Sequence, residues 1–495
     1  MNIFPEERIR LLNQAPIHPE GDFVLYWMIA FRRARWNFSL DRAVEWACEL
    51  RKPVVVLEAL SCDYPWASER LHSFILEGMH NNRSEFKDLP VFYFPYVERS
   101  KGEGRGLVRE LAARSCIVIT DDYPCFFLPR MIGAVGNSIP VKMEAIDSNG
   151  LLPLVVADKV FLTAFSFRRY IQEMLPRFLE FPKESPLSDV HLPMLHELPV
   201  DIANRWPVAD TLLDSPRDHV RGLPVDHAVA PVETKGGSSA AEKRLESFLQ
   251  TGLSRYHLDR NLPADGVTSG LSPYLHFGHL SVHEIFRELS RGERWSPENL
   301  SARISGKREG WWGMSSAAEA FLDQLVTWRE LGFNLCSRRQ DYDLLDSLPD
   351  WAIETLTDHE NDSRPYLYTR KELEFAKTHD PLWNAAQRQL LLEGRIYGYP
   401  RMLWGKKIVE WTASPREALD IMIELNNKYA LDGRDPNSYC GIFWVLGRYD
   451  RPFGPARPVL GKIRCMSSQR TVKKIGADAY MRRMEAAWTR SGLYQ

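Results

Sequence analysis

The sequence predicts two folded regions, an α/β N-terminal domain built on a doubly wound parallel sheet and an all-α C-terminal domain. Three observations carry that expectation. Between Asp22 and Ile146, five short apolar runs alternate with stretches whose apolar residues recur at helical spacing. The runs are apolar almost without interruption, as in strands covered on both faces, instead of alternating with polar residues. After about Ala240 the periodic stretches all have helical spacing and are joined by short Gly, Pro and Asp turns. At 495 residues the chain is also too long for one ordinary core.

Taken in order, the runs are FVLYWMI (23–29), PVVVLEAL (53–60), VFYFPYV (91–97), CIVITDD (116–122) and IPVKMEAI (139–146). Segments such as SLDRAVEWACEL and ERLHSFILEGMHNN supply the helices between them. No run is followed by GxGxxG or GxxxxGK[ST], and the GEGRG near Gly102 has the wrong spacing for a phosphate cradle. Sheets of this kind bind ligands beyond the carboxyl ends of their strands, where Thr120, Asp121 and Asp122 lie; a strand-end turn explains the same residues. Eight prolines between Pro182 and Pro231, followed by GGSS at 236–239, then interrupt all periodicity. The expected organisation is therefore an α/β domain at 1–180, a connection at 181–240 and a helical domain at 241–495. A helical domain of that length can enclose a cofactor-sized cavity.

Composition narrows the function classes. The 15 Trp, 18 Tyr and 23 Phe suit a protein that holds a flat aromatic group, although packing alone also accounts for them. Seven scattered cysteines without a CxxC pair argue against a zinc site or a disulfide framework, and no metal ligand set stands out. The first residues lack a signal pattern and no run of eighteen apolar residues occurs, so the expectation is a soluble, cytoplasmic monomer with no membrane span. The net charge of −2 conceals an uneven distribution. From Asp380 onward there are 19 Lys and Arg against 11 Asp and Glu, which would present an anionic partner with a positive C-terminal region.

The stretch from Asp380 to Asn437 concentrates the chemistry. Trp404 and Trp411 are seven residues apart, so on a helix they share a face about 10 Å apart along the axis. With Trp383 on a neighbouring helix they would form a row of oxidisable rings; singly, each is also an ordinary core residue. Arg401 precedes Trp404 by one turn, and Asp432 lies in the irregular LDGRDPN segment. Together they read as a polar clamp or as an interdomain ion pair. Asn426 ends a helical run, where it can offer an amide oxygen to a ligand or cap the helix. Upstream, Thr268, Ser269, Gly270, Leu271 and Ser272 form a small polar loop before a helix, a place for a diphosphate or simply a capped helix start.

Three long runs in this region, THDPLWNA (378–385), RMLWGKKIVEW (401–411) and LNNKYALDGRDPN (425–437), resemble the C-terminal half of class II cyclobutane pyrimidine dimer photolyases, of the photolyase and cryptochrome superfamily. SPYLHFG (272–278) and GKIR (461–464) extend the likeness over most of the chain. The resemblance implies that the helical domain binds FAD and that light drives an electron from the reduced flavin to a cyclobutane dimer in DNA. It also admits an antenna chromophore of the deazaflavin or folate type. Residue by residue it assigns Trp404, Trp383 and Trp411 to the flavin-proximal, middle and outer positions of a photoreduction chain that Tyr368 finishes. It places Asn426 opposite the flavin N5 and Arg401 with Asp432 beside the ring. Tyr256, Arg260 and the loop from Thr268 to Ser272 complete the cofactor cradle, and Met402 and Trp444 lie near the dimer. Gln324 departs from the family, whose members carry a glutamate there, and the run beginning at Trp328 looks more like class I relatives, where a tryptophan packs against the dimer. Arg448, Arg451 and Arg457 keep the following loop basic for DNA. Gln324 can donate a hydrogen bond but cannot act as an acid. A second reading therefore stands beside repair, that of a photolyase-like flavoprotein serving as a light sensor or as a photoenzyme on a small aromatic substrate.

Overall fold

Five of the six strands arise where continuous apolar runs predict them. The computed structural model describes residues 4–179, 181–188, 190–263 and 266–492; the expected domain boundary at residue 180 lies outside them. The strands are β1 (Ile9–Leu11), β2 (Phe23–Met28), β3 (Val54–Leu60), β4 (Phe92–Val97), β5 (Ser115–Asp121) and β6 (Met143–Ile146), and they form one sheet in the order β1-β6-β5-β2-β3-β4. β2 through β6 pair in parallel, and only β1 runs antiparallel, along β6. Every residue of β2 and β5 is buried, which is why those strands read as unbroken apolar runs. The far edge strand, β4, carries Pro95, whose carbonyl accepts the Ala209 N–H at 2.9 Å.

Between the strands lie the helices Phe38–Leu50, Glu69–Phe86, Leu107–Arg114 and Leu128–Gly136. The first two start at side-chain caps. The Asn37 carbonyl oxygen accepts the N–H groups of Ser39 and Leu40, and the Ser68 hydroxyl accepts that of Leu71. The strand order reverses on either side of β2, and residues at this switch point serve the sheet itself. Asp121 accepts the backbone N–H groups of Ile29, Ala30 and Phe31 at 2.9, 2.7 and 2.9 Å, as well as the Tyr26 hydroxyl at 2.8 Å. Thr120 donates to the Trp27 carbonyl, and Asp122 receives a forked pair of bonds from Arg10. All three residues are occupied by the strand-end turn, which is the plainer of the two readings open from the sequence.

The chain divides into two compact units. The first is the chain up to Asp158 with Met174–Glu246 and Gly270–Pro297, and the second is Lys159–Glu173 and Ser247–Ser269 with the chain from Glu298 onward. The second unit is helical. Two of its segments, Phe248–Gly252 and Asp323–Trp328, wind as π-helices, a rare turn that recurs at functional positions. Glycines permit close approach at two of its helix contacts. A Cβ on Gly405 would come within 2.6 Å of Val445, and one on Gly332 within 2.7 Å of the Pro436 carbonyl oxygen.

Asp121→Ala strands three buried N–H groups and a phenol, and at about 1–3 kcal/mol per unsatisfied buried donor it is expected to lower stability by roughly 3 kcal/mol or more. A denaturant midpoint that is unchanged in this variant would refute the role given to Asp121.

Candidate functional site

The three tryptophans sit on two helices of the second unit. Asp380 starts the Pro381–Glu393 helix by accepting the N–H groups of Leu382 and Trp383, and Gly394, at φ 67°, ends it. The helix Gly398–Trp411 follows after a short turn. Trp383, Trp404 and Trp411 are 0, 3 and 4 % exposed. The Trp383 indole N–H donates to the Trp404 carbonyl at 2.9 Å, and the Trp404 indole N–H donates to Gln387 Oε1 at 2.8 Å. The Trp383 and Trp411 rings meet at 5.7 Å between centroids, and Trp411 meets the half-buried Tyr368 ring at 5.4 Å. The rings of Trp383, Trp411 and Tyr368 thus touch in that order, and Trp404 joins them through the bond from the Trp383 indole to its backbone carbonyl; the three tryptophans are dry and Tyr368 reaches solvent.

The residues expected around a flavin fall in three groups. Asn426 is buried, and its amide nitrogen donates to the Ser438 hydroxyl at 2.6 Å, while its carbonyl oxygen accepts nothing from any described residue. Arg401 and Asp432 are both partly exposed and form no ion pair with each other, so the pairing expected from the sequence does not occur. Each lies on its own element, Arg401 in the Gly398–Trp411 helix and Asp432 in the turn after Pro415–Tyr429. Tyr256 is buried against Phe248 and Phe321, which raises its phenol pKa, and the Arg260 guanidinium lies 5.6 Å from its ring centre. Thr268 and Ser269 are half-buried in the second unit; Gly270, at φ 67°, buried Leu271 and exposed Ser272 belong to the first. The second-unit residues suit a flat aromatic cofactor with an acceptor-seeking ring nitrogen, because Asn426 presents an unused acceptor and Arg401 and Asp432 present opposite charges that are not neutralised by one another.

The residues expected near a substrate separate more sharply. Gln324 and Trp328 lie in the π-helical segment, both half-buried, and the Trp328 ring stacks on Trp444 at 4.3 Å and 14°. Met402 is half-buried one position after Arg401. Arg451 and Arg457 are exposed, as a nucleic-acid contact requires. Arg448 is not. It is 3 % exposed, its guanidinium lies 3.8 Å from the Phe443 ring centre, and it donates to the Tyr342 carbonyl and the Ser347 hydroxyl. With its guanidinium buried and both terminal nitrogens donating inside the fold, Arg448 has nothing to offer a phosphate. Two residues with no role read from the sequence also belong here. Gln387 holds the Trp404 indole, and its signal is a lone amide on a buried helix face. His379 contacts Tyr368 and Trp411, and the THDPLWNA run contained it without indicating what it does.

The fold, a mostly parallel sheet unit with a helical unit, is shared with solved photolyase and cryptochrome structures. A bacterial class III photolyase from Agrobacterium tumefaciens superposes with a TM-score of 0.65 at 16 % identity, over 94 % of this chain and 86 % of that one. A cryptochrome from Synechocystis superposes with a TM-score of 0.64 at 14 % identity, over 93 % and 88 %. In sequence, a deoxyribodipyrimidine photo-lyase of Methanothermobacter thermautotrophicus is 33 % identical over 479 residues, 97 % of this chain and 98 % of the relative. One from Arabidopsis thaliana is 32 % identical over 483 residues, 96 % and 92 %. The chain belongs to the deoxyribodipyrimidine photo-lyase family. No family model matches it.

Lys406, between Trp404 and the Val445 crossing, is fully buried, and its ammonium donates to the Val445 carbonyl. Burial lowers its pKa to about 7, against 10.5 for an ordinary lysine. Between those values the unfolded chain binds the extra proton, so this group makes stability rise with pH from about 7 to about 10.5, a gain lost again as pH falls from about 10.5 to about 7, with no further change below. Lys406→Met is expected to flatten that rise in urea titrations run across the window; an unchanged slope would show that Lys406 is not the buried titrating group.

Proposed function

We propose that this protein splits cyclobutane pyrimidine dimers in DNA, using light-driven electron transfer from a reduced FAD held in the helical unit. The observation that carries the reading is the dry file of three indoles ending at a solvent-reaching tyrosine, in a chain whose near-full-length relatives are named deoxyribodipyrimidine photo-lyase. When bound and fully reduced, FAD supplies the excited-state electron that opens the cyclobutane ring and takes it back afterwards.

The remaining roles belong to this chain. Asn426, its donor end fixed on Ser438, would offer its side-chain carbonyl oxygen to a ring N–H. Arg401 and Asp432 would bring opposite charges to the ring, and Tyr256, Arg260, Thr268 and Ser269 would hold the rest of the cofactor. Electrons hop inward from Tyr368 through Trp411 and Trp383 to Trp404, because short ring-to-ring steps are far faster than one long jump. The stacked pair Trp328 and Trp444 offers an aromatic face to bases taken out of the helix, beside Met402. Gln324 donates its amide hydrogens to a pyrimidine carbonyl while remaining neutral at every pH. Arg451 and Arg457 meet phosphates, so binding to damaged DNA weakens as salt rises. The light-sensor and small-substrate alternative rests on Gln324 and Trp328 and is not favoured, since the four near-full-length relatives all carry the photo-lyase name.

The protein is expected to purify yellow and to reduce its flavin under blue light with an external thiol. Trp404→Phe should abolish that photoreduction while leaving the flavin bound; full photoreduction in this variant would exclude the electron path. Reduced protein and a dimer-containing oligonucleotide under near-UV light should yield intact pyrimidines, and a complete lack of repair would overturn the reading. A fourth expectation concerns acidity. Wild-type repair should show no carboxyl limb in its pH profile, whereas Gln324→Glu should add one, falling as pH rises through a carboxyl titration near about 4.3. Identical profiles would show that position 324 does not touch the reacting bases.

A further inference from the structure

Outside the indole file lies a small aromatic cluster at the surface. The Tyr368 phenol oxygen is 2.6 Å from His379 Nδ1 and also accepts the His379 backbone N–H at 3.0 Å. The Tyr368 backbone N–H donates to the Trp411 carbonyl at 3.1 Å, which fixes the tyrosine against the end of the file. The His379 ring lies 5.2 Å from Trp411, and Tyr366, 48 % exposed, stacks on it at 3.8 Å. Burial does not force this arrangement, because His379 is exposed and water could serve both polar groups. The backbone N–H donates into the phenol oxygen and leaves the phenol's own hydrogen free for Nδ1. That pairing takes His379 as the Nε2–H tautomer, with Nδ1 as acceptor.

A phenol is a poor electron donor while it keeps its proton, since the radical cation it would form is a strong acid. An acceptor already hydrogen-bonded to the phenol removes that obstacle in the same step. We infer that Tyr368 and His379 form a proton-coupled terminus for the file: the Tyr368 phenol gives one electron to the oxidised Trp411 indole and its proton to His379 Nδ1. The Tyr368 O–H bond breaks and an N–H bond forms on His379. The Trp411 radical cation is reduced to the neutral indole, and Tyr368 becomes a neutral phenoxyl radical beside an imidazolium, so charge and atoms balance. His379 is a positioning residue and proton acceptor here; it carries no electron. The inference rests on the proposed electron path and adds its outward end. Tyr366 and Tyr368, from the segment before the Arg370–Glu374 helix, stand against the imidazole; Lys377 and Asp380 flank His379 in sequence, and the helix that carries Trp411 also carries the Lys407–Glu410 ion pair. Asp380 accepts the Leu382 and Trp383 N–H groups and the Ser468 hydroxyl, and the Lys407 ammonium sits 5.9 Å from the Trp411 ring.

Time-resolved absorption after a blue flash on the flavin-loaded protein, with EPR on the trapped product, tests this. In the wild type an indole radical should give way to a phenoxyl radical with the EPR signature of a hydrogen-bonded oxygen. His379→Ala should keep the indole radical but slow phenoxyl formation about 100-fold, the low end of what a positioned proton acceptor supplies. Added imidazole should restore the rate. Tyr368→Phe should remove the phenoxyl signal, and Tyr366→Phe should leave it. Wild-type phenoxyl kinetics in His379→Ala, or a radical that disappears with Tyr366 instead of Tyr368, would overturn the inference while leaving the indole path standing. Absence of any indole radical would instead refute the path itself. A ruthenium photo-oxidant with a sacrificial quencher then oxidises the surface aromatics directly, and phenoxyl yield independent of His379 in that experiment would overturn the inference as well.

Discussion

A buried indole leaves one N–H that must find an acceptor, and the helical unit is arranged around that demand. Trp404 donates to Gln387, and Gln387 in turn donates its own amide hydrogen to the Glu374 carbonyl at 2.9 Å. Trp383 uses the second lone pair of the Trp404 carbonyl. These three bonds join Arg370–Glu374, Pro381–Glu393 and Gly398–Trp411. Sliding one helix by a residue would strand buried donors at about 1–3 kcal/mol each. The ring separations that govern electron hopping are therefore held by directional bonds as well as by apolar packing, which tolerates small shifts more readily.

A similar arrangement holds the turn after Pro415–Tyr429. Asn427 accepts the Arg434 N–H at 2.9 Å and donates to the Tyr439 hydroxyl at 3.1 Å. A Cβ on Gly433 would come within 2.7 Å of the Asn426 carbonyl oxygen, so the backbone passes there only because that residue has no side chain. Asn426 inherits its orientation from this packed turn. Arg401 and Asp432 have no such restraint on each other, which leaves their charges to whatever enters between the elements that carry them.

The parts of the fold visible in the sequence are those where one physical effect dominates. β2, β3 and β5 are covered on both faces, so their apolar runs are unbroken and unmistakable. β1 gave no such signal, being three residues long with two of them exposed. The π-helical turn that carries Gln324 and Trp328 was equally silent, because helical spacing in a sequence does not distinguish a wide turn from an ordinary one. Arg448 read as surface because arginine usually is; only tertiary contact with Tyr342, Ser347 and Phe443 shows it turned inward. The Arg401 and Asp432 pair was inferred from charge near an aromatic row, and spacing along the chain says nothing about whether two elements bring their side chains within reach. The row of indoles was legible because seven residues on a helix return to the same face.

The two borders of the sheet carry a further meaning. On one side three residues of β1 close β6 in the opposite direction; on the other, β4 bears an imino acid with no hydrogen to give and a carbonyl already claimed by Ala209. A sheet with so apolar an interior would otherwise offer a ready template for another chain, so this protein should stay dispersed when crowded and should resist seeding into fibrils.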